Sequence, residues 1–158
     1  MSDAAFGPVV IAATVATGLQ AGTYYTWASG VMPGLARVDD RTFVHAMQQM
    51  NIAIVNPVFM ATFLGAPILA GVAVAMAPSS ARPWVIGGLA FAVATVAITA
   101  VGNIPLNNAI DAAGDIDRIT DLAAVRESFE SSWVKWNVVR AVTSTASLAA
   151  LAWAALRS

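Results

Sequence analysis

Four stretches of the chain contain no Asp, Glu, Lys or Arg: residues 4–36, 42–81, 83–110 and 141–156. A helix needs about 20 apolar residues to cross the roughly 30 Å hydrocarbon core of a bilayer. Each stretch supplies them, the second from about Ile52 and the fourth once it is extended back toward Trp136. In lipid every backbone N–H and C=O must find its partner within the protein, so only helices and closed barrels can span. Barrel strands alternate polar and apolar residues. Runs such as VAITAVGNI and LAALAWAAL do not alternate, which selects helices.

The expected fold is therefore all-α, an integral membrane four-helix bundle forming one domain over 1–158, with spans at about 7–32, 50–77, 84–106 and 136–156. Composition agrees: 58% of residues are hydrophobic and 11% charged, against roughly 25% charged in a soluble domain. A net charge of -1 without a clustered basic face gives no reason to expect a nucleic-acid partner. The absence of cysteine rules out disulfides, thiolate metal sites and cysteine nucleophiles. MSDAAFGPVV lacks a basic signal-peptide n-region, so the first apolar stretch is expected to be retained.

Breaks fall between the spans. Pro33-Gly34 closes the first, Asp39 or Asp40 offers a cap before the second, and APSSARPW turns into the third. The third connection, Asn107 to about Leu122, carries Asp111, Asp115, Asp117, Arg118 and Asp121, so it lies outside the hydrocarbon. Helical patterning resumes at Leu122, and the last helix is expected to stand above the membrane before entering it. Gly18-x-x-x-Gly22 and Gly30-x-x-x-Gly34 suit close helix approach; a homo-oligomer stays open. Arg37, Arg41, Arg118, Arg126 and Lys135 lie at the end of the first and third connections, against Arg82 and Arg157 at the other. The positive-inside rule then puts both termini outside, in a multi-pass protein of a bacterial inner (plasma) membrane.

The polar residues within the spans gather at the end of the first and third connections, where a polar, aromatic-lined and partly extramembrane mouth is expected. The first span brings Gln20, Thr23, Tyr24, Tyr25 and Trp27; the second brings His45, Gln48, Gln49, Asn51 and Asn56; the third brings Asn103, Asn107 and Asn108. In the fourth, Trp133, Trp136, Asn137 and Arg140 fall at i, i+3, i+4 and i+7 and so share a helix face. Lys135 points elsewhere, toward headgroups. His45, Gln49 and Asn56 similarly align on the second helix, at i, i+4 and i+11. Pro105, between Asn103 and Asn107, removes a backbone donor where a site would open.

Each of these has a plainer reading. Tryptophan and tyrosine form interfacial belts, asparagines join helices at about 0.6 kcal/mol per bond, and methionines fill cores. Arg140 can snorkel, or pair with Glu127, Glu130 or an acidic loop residue. One histidine without cysteine is a poor metal site, so no metal ligands are assigned, although haem or copper stays open. The convergence of His45, Asn103, Asn107, Asn137 and Arg140 on one end is what the plainer readings leave unexplained.

The strings GVMPGLARVDDRTFVHAMQQMN, NPVFMATFLGAP, VGNIPLNNAI and SWVKWNVVRAVTS resemble the anthrone oxygenase-like family of small bacterial and fungal membrane proteins, over about Gly18 to about Ser147. The most specific parts are Asn103, Pro105, Leu106 and Asn107, and then Trp133, Trp136, Asn137 and Arg140. The resemblance implies a four-helix integral membrane protein and, from one branch, oxidation of an anthrone to an anthraquinone by O2 with no evident cofactor.

On that expectation His45 is the candidate base, being the one side chain with a near-neutral pKa. Arg140, Asn137 and Asn103 would stabilise the developing oxyanion. Tyr25, Trp27, Trp133 and Trp136 would wall the rings, with Gln49, Asn56 and Asn107 as further binding residues. The partners would be an apolar aromatic small molecule, O2 and the lipid bilayer. Two other readings use the same residues: a carrier that binds a quinone-, lipid- or polyketide-like ligand without turnover, and an accessory subunit whose asparagines only lock helices together.

Overall fold

The structure, a computed structural model, describes residues 3–157 and is helical throughout its ordered elements. Helix α1 runs Asp3–Thr26 and continues through a π turn, Trp27–Val31, into Met32–Leu35. Helix α2 is Asp40–Ile54 and α3 is Pro57–Met76. Helix α4 runs Arg82–Ile98, passes through a second π turn, Thr99–Asn103, and ends with Ile104–Ala112. Helix α5 is Leu122–Ala155. Among the described residues four helices are long and apolar enough to cross a membrane: α1, α3, α4 and α5. The chain is a multi-pass membrane protein built as a four-helix bundle.

Local chemistry sets the boundaries. Asp39, Asn56 and Asp121 cap α2, α3 and α5, each side chain accepting from a backbone N–H three residues on, at 2.9, 3.0 and 2.9 Å. The two hydrogen bonds from Thr42 hold the exposed Asp39 carboxyl below the usual carboxylate range. That contribution to α2 is present above the ordinary aspartate pKa and is lost as pH falls through the lowered one. Pro57 and Pro83 sit in first turns, where a missing N–H costs nothing. Gly114, at φ 86°, supplies the left-handed residue that ends α4.

The second span differs from its sequence reading. Rather than one helix from residue 50, the chain breaks at Val55–Asn56, because Asn56 turns its amide back to cap α3 while also donating to the Ala53 carbonyl at 2.9 Å. The preceding segment becomes a separate amphipathic helix. Its apolar residues Phe43, Val44 and Met47 are fully buried with Met32, Ile110, Phe129 and Trp133, forming a packed roof over one end of the bundle. Arg126 ties this roof to α5: it donates to the Val38 carbonyl at 2.8 Å, to Asp40 at 3.0 Å and to Glu130 at 2.7 Å, and lies over the Phe43 ring. Helix α5, at 34 residues, is longer than the roughly 20 that cross a hydrocarbon core, and Glu130 serves Arg126 rather than Arg140.

The other end of the bundle is dry. Phe6, Val10, Ala13, Ala70, Ala73, Ala77, Ala81, Val85, Leu151 and Ala154 form a second core whose small side chains let helices approach closely. The tight approaches within the chain lie at Gly88 and Gly102, whereas Gly22, Gly30 and Gly34 of the glycine repeats face open space. A Cβ on Gly88 would stand 2.7 Å from Leu151 Cγ, and the Gly88 carbonyl accepts from Ser147 Oγ at 2.7 Å. Gly88→Ala should therefore lower stability by about 1–3 kcal/mol, the usual cost of overpacking. Gly87→Ala, with nothing within 4 Å of its Cβ, should be neutral or slightly stabilising. Thermal unfolding of both variants in detergent checks the pair.

Candidate functional site

Beneath the roof, α1, the α2–α3 junction, α4 and α5 enclose a cavity of about 290 Å³, near the lower end of the range typical of small-molecule pockets. The connections contribute to its roof, and helix faces make its walls. Trp27 and Tyr24 come from α1, Asn51 and Ile54 from α2, and Phe59, Met60 and Phe63 from α3. Thr99, Ile104 and Asn107 come from α4, and Trp133 and Arg140 from α5. Both π turns lie at this level, next to Trp27 and Thr99. A π turn rotates the helix beyond it relative to a regular α-helix, and such turns recur at functional sites.

Arg140 is the chemical centre of the chamber. Its Cα lies about 24 Å along α5 from Leu156 at roughly 1.5 Å per residue, less than the roughly 30 Å thickness of a hydrocarbon core. The residue is only 7% exposed, yet it takes part in none of the ion pairs among the described residues. Nη2 donates to Asn137 Oδ1 at 2.9 Å, while Nε has no partner. The guanidinium carbon lies 4.5 Å from the centroid of the Tyr24 ring and 5.4 Å from that of Trp133. Two aromatic faces and one amide thus take the place of a carboxylate. Cation–π contacts of this desolvated kind are worth about 2 kcal/mol, well short of the several kcal/mol that burying an ion costs.

The surroundings hold this arrangement still. Asn137, fully buried, donates to the Tyr24 carbonyl at 3.1 Å, so one amide joins α5 to α1 and orients Arg140. Tyr24 donates its hydroxyl to Gln20 at 2.7 Å, and Gln20 donates to Thr62 at the same distance. Trp133 donates Nε1 to Asn107 at 2.8 Å, its backbone carbonyl accepts from Asn103, and its ring meets Trp27 at 5.0 Å between centroids. The tryptophan walls are pinned at both edges.

Of the residues singled out from sequence, Arg140, Trp27, Asn107 and Trp133 line the chamber, and Asn137 and Asn103 support them from behind. Five do not line it. His45 and Gln49 are exposed on the outer face of α2, in a shallow groove with Asp111 and Asp115; burying Phe43, Val44 and Met47 turns these two outward. Asn56 is engaged in capping α3. Tyr25 is 66% exposed, one residue and about 100° of helix beyond Tyr24, and Trp136 lies against Gly102 on the outside of the bundle. Tyr24 was placed at the mouth from the sequence but given no role, and Thr99, Phe59 and Phe63 were not named. The adjacent tyrosines carry equal sequence signal, and only helix phase against α5 separates them.

The fold and chamber define a small membrane protein with an aromatic-lined cavity built around a buried cation. The chain belongs to the anthrone oxygenase family, whose model matches residues 46–150. No curated protein and no solved structure matches it. The matched segment includes Asn51, the α3 wall, Asn103, Asn107, Trp133, Asn137 and Arg140, and it begins just after His45. Among the described residues no three His, Cys, Asp or Glu side chains come together in a way that could hold a metal ion.

If Tyr24 supports the guanidinium, Tyr24→Leu should cost about 2 kcal/mol or more from the lost ring face alone. Tyr25→Leu should stay within about 0.5 kcal/mol, as for an exposed site. Unfolding midpoints of the two variants in the same detergent check the assignment.

Proposed function

We propose that the protein is a membrane-embedded oxygenase that converts the acidic methylene of a flat aromatic ketone, of the anthrone class, into a carbonyl using O2. The observation that carries this reading is Arg140: a buried guanidinium without a carboxylate partner, facing an aromatic chamber. Family membership supports the reaction type. The ketone oxygen would lie against Arg140, and loss of one methylene proton would place negative charge on that oxygen. A well-placed donor in a water-poor site typically lowers such a barrier by about 2.7–4 kcal/mol.

The balance is simple. The methylene gives up both hydrogens, one oxygen atom of O2 becomes the new carbonyl, and the other leaves as water. The only ionisable side chains lining the chamber are Tyr24 and Arg140. In this reading Arg140 acidifies the substrate, and the proton passes to water at the rim, where Asn51 donates to Asp111 at 3.2 Å. His45 takes no part. Trp27, Trp133 and Phe59 supply flat walls for the rings.

The lack of a carboxylate or imidazole lining the chamber also favours a second reading, in which the site carries an aromatic oxyanion without turnover. Oxygen uptake with anthrone by purified protein separates the two, with metal and haem content measured on the same samples. The oxygenase reading expects uptake by wild type, a loss of about 10²–10³-fold in Arg140→Met, and unchanged uptake in His45→Ala. Anthrone binding with no uptake above the protein-free rate would leave the carrier. Equal uptake in wild type and Arg140→Met would remove Arg140 from the reaction.

A further inference from the structure

Helices α3 and α4 pack together along Arg82–Ile98, but the π turn of α4 and the segment beyond it turn their packing to α2 and α5 instead. The chamber lies at the level where α3 and α4 part. Its most exposed lining residues come from the two sides of that division: Val55, 71% exposed, at the α2–α3 break, and Ile104, 43% exposed, just past the π turn. Their neighbours Ile52, Val58 and Val101 are also exposed and apolar. Toward water, by contrast, the chamber is roofed, with a polar edge where Asn51 donates to Asp111. Phe43, Val44 and Met47 are completely buried in the roof, and Arg126 straps the first connection across it.

The geometry points to a lateral portal between α3 and α4, through which the chamber takes its ligand from the bilayer. The same feature narrows the ligand class. A molecule crossing a rim of valine and isoleucine at membrane depth must be uncharged on entry, since a charge there is costly. To match Arg140, it must then carry a group that becomes an oxyanion, or that presents oxygen lone pairs to a guanidinium. The class is a flat, lipid-dissolved weak acid, neutral in the membrane and ionisable at Arg140. Permanently charged aromatics and substrates tethered to a soluble carrier do not fit this route. The ionisation part rests on the oxyanion role proposed for Arg140; the portal itself does not.

The chain has no cysteine, so the double variant Val55→Cys/Ile104→Cys carries the only two thiols and can be bridged by a reducible bis-thiosulfonate linker. The probe is 2-hydroxyanthraquinone, with anthraquinone-2-sulfonate as its permanently charged counterpart. Binding to protein in lipid nanodiscs is followed by quenching of tryptophan emission. The inference expects bridging to slow association of the hydroxy compound at least tenfold and reduction of the linker to restore it. Each single-cysteine variant carrying the linker at one end only should associate at least tenfold faster than the bridged protein, and the sulfonate should bind at least tenfold more weakly than the hydroxy compound.

Unchanged association in the bridged protein would overturn the portal, and equal binding of the sulfonate would overturn the ligand class. Arg140→Met serves as the separate arm. If it binds both probes as wild type does while bridging still blocks entry, the oxyanion role fails and the portal stands. If it loses binding while bridging has no effect, the portal fails and the oxyanion role stands.

Discussion

A buried guanidinium with no carboxylate beside it is the constraint around which the rest of the molecule is arranged. Burying such an ion costs several kcal/mol, and the usual remedy, a paired acid, would neutralise it. Here the compensation comes from groups that leave the charge available: the Tyr24 face, the Trp133 face and the Asn137 amide. Each of these is fixed in turn by a neighbour on another helix. Tyr24 is held through Gln20 to Thr62 on α3, Trp133 through Asn107 on α4, and Asn137 to the α1 backbone. All four membrane helices therefore meet at one charged group, and the buried face of α2 packs over this end of the bundle.

Seen this way, the two ends of the bundle do different work. The dry end, with Ala70, Ala73, Ala77 and Gly88 at helix contacts, sets the spacing by close packing. At the other end the helices separate around the π turns and the Val55–Asn56 break. Such irregular backbone is tolerated at membrane depth where it lines a cavity or is covered by protein. Rigidity at one end permits a void at the other without loss of register.

Much of this was legible from the residues. Four charge-free stretches dictated four spanning helices, and the i, i+4, i+7 spacing of Trp133, Asn137 and Arg140 put them on one buried face. The same spacing rule misplaced His45, Gln49 and Asn56, because it assumed one helix across a point where the Asn56 side chain caps a new one. Once α2 is separate, its phase is set by burying Phe43 and Met47, and His45 turns outward. Trp136 and Tyr25 show the limit of periodicity in a membrane. Both faces of a membrane helix are apolar, so adjacent aromatics give no sign of which one faces protein and which faces lipid. The π turns are invisible to any fixed period, and they decide which residues of α1 and α4 reach the chamber.

The central claim, that the chamber presents an unneutralised cation to its ligand, has a direct optical test. Bound 2-hydroxyanthraquinone absorbs differently as phenol and as phenolate. At a mildly acidic pH, where the free compound in lipid is neutral, the account predicts that the bound chromophore shows the phenolate band, and that Arg140→Met returns it to the phenol band. A bound chromophore that stays a phenol in wild type across that range, with the same spectrum in Arg140→Met, would contradict it.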